Sequence, residues 1–360
     1  MSDASRRRGY LDWMRGLAVL VMIQTHVLDS WTRVTDRQSW QFTWAMILGG
    51  MGAPLFLFLA GTAVALSAGS KARRTGDPGA AARAVMQRGL WVYYLALLFR
   101  VQAWILGWAP ARTLIKVDIL NIMGPSIMAA AALWGAFRTS RGRAMAFGGA
   151  TLAIALLTPV VRTTHILDAL PDALEGYIRP IRGFSNFCIF PWAGFLFAGA
   201  LVGVLVDEAR THEAETRLNA RLFASGAALA LGAYAASFLP SAFGPSEFWG
   251  GSPAFFLLRA GLITATIAVA YAWHLRPTAG RWSPVQQLGR TSLFIYWIHV
   301  EMVYGLISLP IHKGLSHWAA WTALGAFTAF MLLCSLAKDR IVRLVERGRV
   351  RGGRSVPAPR

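Results

Sequence analysis

The chain has 360 residues, is 55% hydrophobic and only 15% charged, and carries 15 tryptophans; a soluble domain of that size holds more charge. A formal charge of +19 invites a nucleic-acid partner, but the basic residues gather in alternate connections between apolar stretches, which is the cytoplasmic-loop pattern of a membrane protein and argues against nucleic acid. The composition predicts an all-α fold, a polytopic integral membrane helix bundle of about ten transmembrane helices with the lipid bilayer as its first partner.

The ten stretches are 11–30, 48–69, 88–107, 118–137, 143–161, 184–206, 219–239, 252–274, 287–309 and 317–336. Each is close to the 20 or so helical residues that cross a hydrocarbon core of about 30 Å. The first is unusual. At about 100° per residue, Asp12, Arg15, Met22, His26 and Asp29 share one stripe, and ionisable groups inside a membrane helix face protein or water and are functional by default. The second stretch follows Gly49-Gly50-Met51-Gly52-Ala53-Pro54, so it is expected to begin after an irregular segment. The second and ninth are expected to be longer or broken.

Arg88 lies at the inner edge of the third stretch, and Arg100 and Gln102 lie near its outer end. Asp118 and Asn121 stand one turn apart at the outer end of the fourth, which Gly124-Pro125 is expected to interrupt, as Pro191 does the sixth. The ninth contributes His299 and Glu301, about 200° apart on a helix, so His299 is expected to face inward with Glu301 at the rim. Cys188 and Cys334 sit in separate apolar stretches without a CxxC pair; they are read as buried apolar residues, with no disulfide framework and no zinc site. After the tenth stretch, Ile341-Val342 and Leu344-Val345 suggest a short amphipathic helix. Gly348 to Arg360 should be disordered or lie on the lipid surface.

Basic clusters at Arg6 to Arg8, Lys71 to Arg88, Arg138 to Arg143, Arg276 to Arg281 and Lys338 to Arg360 place both termini in the cytoplasm. The connections at 162–183 and 240–251 then fall outside. The N-terminal apolar run is too long for a cleavable signal and is interrupted by Arg15. Without a domain linker, residues 1–340 read as one transmembrane domain and 341–360 as a basic cytoplasmic tail.

An imidazole accepts a proton or an acyl group near neutral pH, so His26 is the candidate catalytic residue, with Asp29 one turn on to orient its ring. Asp118, Asn121, Arg100 and His299 fall at matching depth. They are read as lining an outward-facing pocket for a hydroxylated or amino substrate, with an ion pair to Arg100 or Lys116 as the equal alternative for Asp118. Arg15, Lys71, Arg73, Arg74 and Arg88 gather at the cytoplasmic end, where arginine forks suit the phosphates of a nucleotide-containing donor, although inside-positive topology accounts for most of them. GxSxG, HExxH, Walker and dinucleotide motifs are absent, and no metal is expected. These residues alone leave open an enzyme, a proton-coupled transporter using His26, Asp29, Asp118 and His299 as a relay, and a structural or sensory protein. No internal repeat supports an inverted-repeat transporter.

Five segments in order resemble the heparan-alpha-glucosaminide N-acetyltransferase catalytic-domain family, within the wider group of transmembrane acyltransferases. They are Leu11 to Val19 with the later His26; Pro54 to Gly61; Val117 to Gly124; Phe190 to Phe195 with Gly199; and Leu288 to His299. The resemblance implies a multi-span enzyme moving an acetyl or other acyl group from cytoplasmic acyl-coenzyme A to a saccharide amine or hydroxyl across the membrane, with His26 at the position of the family's histidine. The animal members carry a large lumenal domain before the first span, whereas only a short segment stands there in this sequence. The expected acceptor is therefore a bacterial-type envelope glycan or small glycoside, the expected location a bacterial inner membrane, and a homodimer is compatible with such a protein.

Overall fold

A computed structural model of the protein describes residues 8–106, 110–241, 243, 248–276 and 282–352. Among the described residues there is no strand; two isolated β-bridges, Thr32 to Leu315 and Val117 to Ser185, tie loops together. The helices are α1 (Gly9–Trp31), α2 (Trp40–Gly49), α3 (Gly52–Thr75), α4 (Pro78–Leu106), α5 (Ile119–Ala136), α6 (Ser140–Thr163), α7 (Asp172–Ile178), α8 (Ile189–Glu208), α9 (His212–Ala236), α10 (Phe248–Gly251), α11 (Pro253–His274), α12 (Pro284–Arg290), α13 (Ser292–Tyr304) and α14 (His317–Gly352).

Among the described residues, six stretches are long and apolar enough to cross a membrane: Trp40–Thr75, Ile119–Ala136, Ser140–Thr163, Ile189–Glu208, Pro253–His274 and His317–Arg347. α1 is not one of them, because Asp12, Arg15 and Asp29 lower the hydropathy of a helix whose other residues are largely buried and apolar. The irregular segment before the second stretch is present as the gap between α2 and α3, and the ninth stretch is broken at Thr291 between α12 and α13. The fourth is not interrupted. α5 runs through Pro125, and Gly124 lies against Gly89 and Tyr93 of α4; close packing holds the helix together where the proline removes one backbone donor. Pro191 does mark a break, with Phe190 in non-helical backbone at the start of α8. The amphipathic segment after residue 340 is a continuation of α14, and residues 353–360 lie outside the described residues.

The chain divides into two compact units, one made of residues 1–49 with 280–360 and the other of residues 50–279. In the first unit α1 packs against α2, α12, α13 and α14. Its crossing with α12 is backbone to backbone: a Cβ on Gly16 would fall 1.8 Å from the Val285 carbonyl oxygen, and one on Gly289 would fall 1.9 Å from that of Asp12. In the second unit α3 packs on α8, α4 on α5, α6 on α8, and α9 on α11. Gly61 and Gly199 make the α3–α8 crossing equally close, each 1.8 Å by the same measure from a carbonyl oxygen of the other helix, those of Leu196 and Phe58. Small residues at such crossings let membrane helices approach and gain packing contact where no hydrophobic force separates helix from lipid.

Candidate functional site

The last two turns of α1 hold a cluster of ionisable and aromatic side chains. Nδ1 of His26 lies 2.8 Å from Nε2 of His299 on α13, with the two rings parallel to within 4°. His299 is completely buried, and its Nδ1 lies 2.8 Å from the carbonyl oxygen of Ile295 one turn earlier. Both ring nitrogens of His299 are thus engaged within the protein, one of them by His26. The Tyr304 ring meets His26 edge-on at 5.5 Å, and its hydroxyl donates to Asp29 at 3.3 Å. Asp29 also accepts from Arg37, through its carboxylate at 3.4 Å and through its main-chain carbonyl. The carboxylate expected to orient His26 directly is therefore bonded to the tyrosine that packs on His26.

This end of α1 is held by the last turn of α13 and the segment after it. The Ser30 hydroxyl donates to the Val303 carbonyl at 2.8 Å and lies 3.1 Å from Nδ1 of His312, and the Trp31 indole donates to the same carbonyl at 3.2 Å. Backbone amides of Lys313 and Leu315 donate to the carbonyls of Ser30 and Trp31 at 2.9 and 3.0 Å. Carbonyls at a helix C-terminus need such partners, and satisfying them here fixes α1 beside α13 in the register that pairs the histidines. Toward the other end of α1, buried Asp12 pairs with Arg15 at 3.0 Å.

A second cluster is in the second unit. Asp118 caps α5: its carboxylate accepts from the Ile119 amide at 2.8 Å, and Asn121 closes the capping box by accepting from the Asp118 amide at 3.1 Å. The other Asp118 oxygen takes Arg100 at 2.8 Å, both side chains being largely buried. Asn121 reaches the Tyr177 hydroxyl at 3.4 Å, which lies 3.2 Å from that of Tyr93. Arg100 Nε is buried without a hydrogen-bond partner among the described residues.

The family described as heparan-alpha-glucosaminide N-acetyltransferase, catalytic, matches residues 7–239. The chain belongs to this family. No curated protein matches the chain in sequence. The family match spans α1 with His26 and the whole Asp118 cluster, and it ends before α13, so His299 lies outside it. Membership makes the protein a transferase of the membrane acetyltransferase type.

Of the residues expected to meet the donor, Arg15 is bound to Asp12, Lys71 and Arg74 lie in the last turns of α3, and Arg88 is exposed on α4. Arg73, between Lys71 and Arg74, is committed to Asp207 by contacts of 2.5 and 2.8 Å. Among the described residues no group of three or more His, Cys, Asp or Glu could hold a metal ion. Sequence reasoning missed Tyr304, Arg37, His312, Tyr177 and Tyr93. Tyr304 and His312 follow His299 closely in the chain, but only the fold of that segment back onto α1 gives them a role. Tyr177 stands in the acidic and aromatic connection read as exterior, where no local pattern ties it to Asn121.

Proposed function

We propose that this family member transfers an acetyl or other acyl group from cytoplasmic acyl-coenzyme A to an amine or hydroxyl of a saccharide on the outer side of a bacterial inner membrane. The observation that carries the reading is His26, held by a second histidine on the ionisable face of α1 within the segment that matches an acetyltransferase family. In this reading residues 1–340 form one domain that crosses the membrane ten times, with both termini and the tail 341–360 in the cytoplasm. Arg15 stands near the donor side and His26 near the acceptor side, about 16 Å along a helix rising 1.5 Å per residue, a span suited to the extended arm of coenzyme A. Arg15, Lys71, Arg74 and Arg88 supply cationic contacts for the donor's phosphates, and Asp118, Asn121 and Arg100 contribute polar contacts to the acceptor.

His26 takes the proton of the acceptor N–H or O–H while that atom attacks the thioester carbon, or it carries the acyl group transiently. Purified protein given labelled acetyl-coenzyme A and a panel of amino sugars is expected to transfer label, and His26→Ala to lose that transfer while remaining folded. Undiminished transfer by His26→Ala would overturn the assignment.

A further inference from the structure

A neutral imidazole has one N–H and one lone pair, and the bond made by one nitrogen decides what the other can do. Nδ1 of His299 faces the Ile295 carbonyl oxygen at 2.8 Å. A carbonyl only accepts, so this nitrogen carries the ring proton. His299 has no exposed surface, and a second proton would place an unsolvated charge in the interior; its Nε2 therefore presents the lone pair. That lone pair lies 2.8 Å from Nδ1 of His26, and the contact is a hydrogen bond only when His26 donates from Nδ1. The lone pair of neutral His26 then falls on Nε2.

We infer that His299 is a positioning residue that sets the tautomer of His26, so that Nε2 of His26 is the nitrogen that acts in transfer. This rests on the acetyl-transfer reading of His26 given above. With Nε2 as base, the acceptor N–H or O–H proton moves to Nε2, a C–N or C–O bond forms at the acyl carbon, and the C–S bond of the thioester breaks. The coenzyme A thiolate then takes the proton from Nε2. The Nδ1 proton stays between the two histidines throughout, and the positive charge His26 acquires is met by the lone pair of His299. If an acyl group is carried, it is carried on Nε2.

The tautomer is read directly from the nitrogen resonances of full-length protein labelled with 15N at histidine only, with the His26 signals assigned by their loss in His26→Gln. The expected spectrum shows protonated Nδ1 and bare Nε2 on His26; the opposite tautomer overturns the inference. That outcome is independent of turnover, so a wild-type protein that transfers no acyl group would instead defeat the functional reading. Turnover supplies the second measurement. His299→Gln keeps an oxygen able to accept from Nδ1 and is expected to stay close to wild type, whereas His299→Leu is expected to lower kcat by roughly 100-fold or more with KM for acetyl-coenzyme A unchanged. Wild-type kcat in folded His299→Leu also overturns the inference. Should that variant fail to fold, the nitrogen spectrum of the wild type decides.

Discussion

Arg100 and Asp118 form an ion pair whose side chains are only 8% and 14% exposed, so neither charge has water to fall back on. Removing one partner of such a pair leaves the other buried and uncompensated, at a cost of about 3–5 kcal/mol. Arg100→Met is therefore expected to lower the Tm sharply. Asp118→Asn keeps a good N-cap for α5 but strips Arg100 of its counter-ion. The double variant removes both charges, so it should be more stable than the sum of the two single effects; strict additivity in a double-mutant cycle would refute the coupling. The same variants separate structure from substrate contact. A role only in holding α5 predicts loss of stability with KM for the acceptor unchanged, whereas an acceptor contact raises that KM at temperatures where the variants remain folded.

At the scale of elements, the sharpest constraint is the α3–α8 crossing. A Cβ on Gly61 would stand 1.8 Å from the Leu196 carbonyl oxygen, and backbone on both sides leaves no flexible side chain to yield. Gly61→Ala is expected to cost at least the 1–3 kcal/mol typical of overpacking, read as a lower Tm. Gly149 on α6 has nothing within 4 Å of the same construction, so Gly149→Ala should be neutral or stabilising by up to about 1 kcal/mol through helix propensity. Equal effects at the two positions would contradict the packing. The loop after α1 gives a pH test. Asp36 is held below its ordinary pKa of 3.8, first by the hydrogen bond from Arg33 and then by the backbone amide of His317. A depressed carboxyl contributes its stability above the unfolded value and loses it as pH falls through the folded one. The Tm gap between wild type and Asp36→Asn should be present at neutral pH and close below pH 3.8; a gap that persists in acid would refute this. The sequence places α6 and α11 within a few residues because an apolar run fills most of each helix. It misses the start of α4, which opens ten residues early at Pro78 behind the Asp77 cap, because the alanine-rich first turns are helical without being hydrophobic. His26 is legible from the ionisable stripe, but its bond to His299 lies 273 residues away in sequence, beyond any local periodicity.

For the whole molecule, the arrangement of charge is the strongest guide to direction. α1 finds α12, α13 and α14 from the far end of the chain, so the site at its C-terminal turns forms only when both ends have folded, the kind of long-range contact that makes folding slow. Which side of the bilayer those turns face follows from the connections. The α3–α4 turn lies between Lys71 and Arg88, in one of the most basic connections of the chain; the proposed topology has this turn in the cytoplasm and the connection after α6 outside. His165, whose side chain is 95% exposed, and Asp77, 55% exposed, offer reporters on the two sides. In protein with Cys188 and Cys334 replaced, a membrane-impermeant maleimide added to intact spheroplasts is expected to label His165→Cys at once and Asp77→Cys only after lysis. Labelling of Asp77→Cys in intact spheroplasts would reverse α1, put Arg15 outside and His26 inside, and leave a cytoplasmic acyl-coenzyme A without its proposed cationic contacts.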